Sequence, residues 1–110
     1  MTNPILLTDN ETGKQYTLEF DKDSVKFAEA RGFDINDVVK YPMSKLEELF
    51  FYAFRKNHKN VSRERSDKLL AGIGPLPDGF LERLLNLYSA PFAAFNGEED
   101  GETTPFVKVD

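Results

Sequence analysis

The chain has 110 residues, 40% of them hydrophobic and 30% charged, which sets it among single globular domains rather than disordered segments. No apolar run approaches the roughly 18 residues of a membrane span. Met1–Pro4 shows no basic or long apolar leader, and cysteine is absent, which argues against a signal peptide, disulfides and thiolate metal sites and fits a cytoplasmic protein.

The formal charge of −5 disfavours a dedicated nucleic-acid binder, because neutralising phosphate drives most of that affinity. The charge is unevenly spread. Arg55, Lys56, Lys59, Arg63, Arg65 and Lys68 cluster with the single histidine, His58, whereas Glu98, Glu99, Asp100 and Glu102 crowd a short stretch near the far end.

Ile5–Thr8 and Tyr16–Phe20 read as two strands, the second placing Tyr16, Leu18 and Phe20 on one face. Asp9–Lys14 supplies loop chemistry between them, with Gly13 free to take a positive φ, so a hairpin is expected. Two strands alone are marginal in water, so that face must pack on helices or meet another strand. Pro105–Val109 is a candidate for such a third strand.

From Asp23 onward the period becomes helical. Asp23 is the expected N-cap of a helix Ser24–Arg31, with Gly32 ending it. Asp34 and Asp37 suit the first turn of a short second helix that Pro42 stops. Ser44 and Glu47 have the spacing of a capping box, which predicts an aromatic helix Ser44–Lys59. Ser62 opens a further helix to about Leu70, and the last helix runs from Asp78 to Phe95 with Pro91 interrupting it. The fold class predicted is therefore α+β, mainly α: an N-terminal β-hairpin and four to five helices over residues 1–95. A mobile acidic C-terminal tail or short terminal strand is expected over 96–110.

The run Phe50-Phe51-Tyr52-Ala53-Phe54 is the densest feature. At about 100° per residue, Leu46, Leu49, Phe50, Ala53 and Phe54 share one arc, while Phe51 and Tyr52 fall on either flank. These two rings either cover a neighbouring helix or face another chain. His58 has no Ser or Cys motif beside it and cannot build a multi-histidine metal site, so it reads as a cation at a helix C-terminus. Asp21-x-Asp23 and Asp34-x-Asn36-Asp37 lack the glycine and the final glutamate of a calcium loop and read as caps. Gly72-Ile73-Gly74 lacks the lysine of a phosphate cradle. No catalytic, cofactor or metal residues are expected.

Phe27-Ala-Glu-Ala-Arg-Gly-Phe33, Leu46-Glu-Glu-Leu-Phe-Phe-Tyr-Ala-Phe-Arg-Lys-Asn-His58, and Ser62-Arg-Glu through Gly79-Phe-Leu-Glu-Arg-Leu84 form an ordered set of landmarks. Their order and spacing over about residues 16–96 resemble the small tail-assembly chaperones of long-tailed bacteriophages of Gram-positive hosts. The resemblance implies a non-enzymatic protein of the host cytoplasm, absent from the mature virion. It would coat the tape measure protein, help tail tube subunits polymerise around it, and self-associate. In many such phages a ribosomal frameshift adds a C-terminal extension, and Asn96–Glu102 is where a linker to one would fall.

The client would lie between the two aromatic helices, with Phe51, Tyr52, Tyr88, Phe92 and Phe95 as partner-binding residues. The alternatives are a small DNA-binding regulator using Arg55–Lys68, and a structural head–tail or tail completion subunit.

Overall fold

The computed structural model describes residues 3–96, with side chains described as far as Ala93. The order is β1 (Ile5–Thr8), β2 (Gln15–Leu18), α1 (Lys22–Ala30), α2 (Asp37–Lys40), α3 (Pro42–Tyr52), α4 (Arg63–Ile73) and α5 (Phe80–Asn96). This is the expected hairpin followed by five helices. The candidate strand Pro105–Val109 and the acidic run after Gly97 lie outside the described residues.

β1 and β2 pair antiparallel, with Ile5 opposite Leu18 and Leu7 opposite Tyr16. Ile5, Tyr16 and Leu18 enter the core, while Leu6 points the other way. In the loop the Asp9 carboxylate accepts from the Glu11 amide at 3.0 Å and the Thr12 hydroxyl at 3.1 Å. The Gly13 amide donates to the Asp9 carbonyl at 2.7 Å, a closure that needs its φ of 76°. The Glu11 amide, foremost, holds the Asp9 carboxyl below its usual range, and Arg65 pairs with it from α4.

The N-cap of α1 is Asp21, not Asp23. Asp21 accepts from the Ser24 amide at 2.8 Å and the Ser24 hydroxyl accepts from the Asp21 amide at 2.8 Å, a reciprocal box. Asp23 instead sits in the first turn, where its charge suits the helix dipole. Gly32, with φ of 91°, ends α1 as expected. Its amide bonds the Glu29 carbonyl while the Phe33 amide bonds that of Ala28, which turns Phe33 into the core.

Pro42 does end α2, since Tyr41 before it leaves helical geometry, but it also opens α3 at the first helical position. Ser44 therefore caps nothing; no side chain caps α3, and Ser44 lies exposed in its first turn. The far end differs too. α3 stops at Tyr52 instead of running to Lys59, because the Ala53 carbonyl is taken by the Glu19 amide at 3.1 Å. The chain then descends in turns through residues 53–57.

Those turns cover the outer edge of β2 along Thr17 and Glu19. The Thr17 amide donates to His58 Nε2 at 2.9 Å, and Asn57 Nδ2 donates to the Thr17 carbonyl at 3.2 Å. Lys56 and Asn57 hold the Glu19 carboxylate at 2.9 and 3.1 Å, and the Lys56 bond foremost keeps its pKa low. His58 is thus a neutral acceptor stacked against Tyr16 and Phe54, and not the dipole-matched cation that its sequence position suggests. α4 starts where expected, with Ser62 accepting from the Arg65 amide, and runs on to Ile73. α5 continues through Pro91, whose missing amide forfeits the bond to the Leu87 carbonyl.

Burial pushes the His58 pKa below 6.5, and the Lys14 ammonium adds to the shift. Between the folded value and that of the unfolded chain, the unfolded state binds more protons, so stability rises with pH. It is full above about pH 6.5 and falls as the pH drops through the folded value. Urea midpoints should therefore decline from about pH 7.5 to about pH 5.5, and His58→Gln should flatten that slope. A flat profile for the unsubstituted chain would contradict the neutral-acceptor assignment.

Candidate functional site: a groove between α1 and α5

Of the five residues expected to line a client groove, the four whose side chains are described do not share one surface. Tyr52 and Tyr88 are 7% and 2% exposed, and both belong to the core. Phe33, delivered by the turn after α1, stands between them, with ring centroids 5.6 Å from Tyr52 and 5.5 Å from Tyr88. Phe20 closes on the other side of Tyr88 at 5.1 Å. Burial pushes the Tyr88 hydroxyl up to about 12, with the charges of Glu29 and Asp34 acting the same way. These two tyrosines hold the helices together instead of rimming a cleft.

Phe51 is half-buried beside Tyr52, at a centroid separation of 5.2 Å, and packs on the core from outside. Its flank of α3 is closed by Phe27, over which Arg55 lies at 4.0 Å and Arg31 at 5.1 Å. Phe92 alone among the expected residues offers substantial surface, at 41% exposed. The Phe95 side chain lies outside the described residues.

Phe92 and Pro91 form one wall of an open groove of about 500 Å³. Val25 lies at its base, and Lys22, Lys26 and Glu29 of α1 form the facing wall. The lining is mainly apolar with charge at the margins, as a groove for an amphipathic segment requires. Local sequence explains both walls. Pro91 denies α5 its local ladder bond and lines the groove next to Phe92, while the Asp21 box fixes the start of α1, on which Val25 is buried. Sequence reasoning had not paired α1 with the end of α5. The usable signal was Val25 three residues before Ala28, which marks a buried stripe on α1.

The basic cluster is largely committed elsewhere in the fold. Arg55 lies over Phe27, Lys56 bonds Glu19, and Arg65 pairs with Asp9. Arg63 pairs with Asp67 at 3.0 Å and Glu47 at 3.4 Å.

These features describe a small, mainly helical domain with an N-terminal hairpin and an apolar groove between α1 and α5. The entire chain, residues 1–110, matches the family model described as Domain of unknown function (DUF5055), and the protein belongs to that family. No curated protein and no solved structure matches it.

The placement of the rings separates core from surface in a way that stability measures directly. Tyr88→Ala should cost about 3–5 kcal/mol in urea unfolding, the range for an aromatic removed from a packed core. Phe92→Ala should cost far less, about 1 kcal/mol, because the ring is 41% exposed and loses its contact with Tyr88. Equal losses for the two would show that the end of α5 is packed and the groove closed.

Proposed function

We propose that the protein is a bacteriophage tail-assembly chaperone that holds apolar, helix-rich segments of the tape measure protein while tail tube subunits polymerise around it. The reading rests on the resemblance over residues 16–96 and, above all, on the α1–α5 groove with Phe92 exposed in its wall. The groove has room for a few apolar side chains and not for a whole helix. A client helix would therefore lie across it and insert anchors spaced i, i+3 and i+4. Lys22, Lys26 and Glu29 at the margin would meet the polar flanks of such a helix.

Single contacts of this size are weak. Many copies along one very long client would gain from avidity, and binding would compete by mass action with aggregation of the client. In this reading the protein acts in the cytoplasm of the infected cell, uses no cofactor and performs no covalent chemistry.

Co-expression with fragments of the tape measure protein tests it. The unsubstituted chain should keep such fragments soluble and co-purify with them. Phe92→Asp, which places a charge in the groove and gives up the ring contact with Tyr88, should lose both effects while the protein stays folded. Undiminished recovery of client by the folded Phe92→Asp protein would overturn the assignment of the site.

A further inference from the structure

The hairpin has two outer edges, and they are treated differently. Asp9 bonds Lys14 across the loop at 2.8 Å, which sets the alternation of the ladder. Leu7 and Tyr16 then exchange bonds, and the amides and carbonyls of Leu6 and Thr8 point away from β2. On β2 the same alternation turns Gln15, Thr17 and Glu19 outward; Ala53, Asn57 and His58 cover Thr17 and Glu19, and Gln15 at the loop end carries no such bond among the described residues.

On β1, Pro4 has no amide and its carbonyl accepts from Arg83 Nη2 at 3.0 Å. Among the described residues nothing bonds the outward amides and carbonyls of Leu6 and Thr8. The Leu6 side chain beside them is 76% exposed. β1 itself carries no charged side chain, and such an edge is a template for strand pairing, with Arg65 and Lys68 of α4 lining the groove beside Thr8.

We propose that β1 pairs antiparallel with β1 of a second copy of this chain, giving a four-stranded sheet in the order β2-β1-β1-β2. The open groups select the register. With the two-fold axis at Leu7, Leu6 stands opposite Thr8 of the second copy and Thr8 opposite its Leu6. All the outward groups of both strands are then paired. Sliding the axis to Leu6 would set Thr8 against Pro4, which has no amide and whose carbonyl Arg83 already holds. A slide by half that step would set outward groups against inward ones.

The partner is a second copy because the edge complements itself in this register and the other edge is covered along Thr17 and Glu19. With only Gln15 left open on β2, that edge is too short to hold a further strand, so pairing stops at two chains and does not run on into a fibre. The two Leu7 side chains, half-buried on the core face, would meet across the axis with Cβ atoms about 4.5–5.5 Å apart. Each Leu6 would lie beside Thr8 of the other copy on the outer face.

Sedimentation of the full chain over a range of concentrations tests this. The unsubstituted protein should pass from monomer to dimer. Leu6→Lys and Thr8→Pro, which alter groups without a bond among the described residues, should each weaken the dimer by about tenfold or more while the circular dichroism stays unchanged. The chain has no cysteine, so Leu7→Cys supplies a single thiol at the axis, and mild oxidation should link two copies through it. A chain that stays monomeric at millimolar concentration overturns the proposal. So does a dimer that neither Leu6→Lys nor Thr8→Pro weakens.

Discussion

A two-stranded hairpin leaves two rows of unpaired amides and carbonyls, and the way this chain covers one of them determines the rest of its architecture. The cover is the turn after α3. Glu19 draws the Ala53 carbonyl out of the helical ladder, and Asn57 and His58 then hold Thr17 as a neighbouring strand would. Ending α3 at Tyr52 brings Phe54 down beneath Tyr16, at a centroid separation of 5.4 Å and nearly perpendicular. The strand and the helix are thus joined by backbone bonds at the edge and by stacked rings behind it.

The aromatic run of α3 is consumed by this arrangement. Phe50 and Phe54 meet at 5.1 Å beneath the hairpin, and Phe50 reaches Phe80 at the start of α5. Tyr52 turns the opposite way, to Phe33 and through it to Tyr88 and Phe20. One short helix therefore serves two sets of rings, one under the strands and one among α1, α3 and α5. What remains for a partner among the described residues lies elsewhere: Phe92 in its groove, the edge at Leu6, and the exposed Val39, Tyr41, Met43 and Leu76. The surface implicated in the proposed chaperone role is accordingly built by α1 and α5, with α3 as their support.

Local features were legible in the sequence because their causes are local. The hairpin, the order of the helices, Gly32 as a helix stop and Ser62 as a cap each follow from residues within a few positions of one another. Asp23 and Ser44 each look like caps because a polar residue heads the helical period, but α1 begins two residues earlier on Asp21 and α3 begins at Pro42, which leaves Ser44 inside the first turn. His58 was misread for a different reason. Its partner, Thr17, lies 41 positions away, and only the folded edge turns a terminal histidine into a neutral acceptor. The surplus of rings at Phe51 and Tyr52 was visible from periodicity, yet periodicity on one helix cannot say that Phe33 from another turn would fill the space beside Tyr52.

The central claim is that the aromatic helix is interior and that the groove beside Phe92 is the binding surface. The most direct measurement is the change in amide and aromatic NMR shifts as a synthetic apolar helical segment of the tape measure protein is added to the isotopically labelled chain. The account predicts shifts gathered on Val25, Glu29 and Phe92, with the resonances of Phe51 and Tyr52 unmoved. Shifts gathered along α3, with the groove silent, would contradict it.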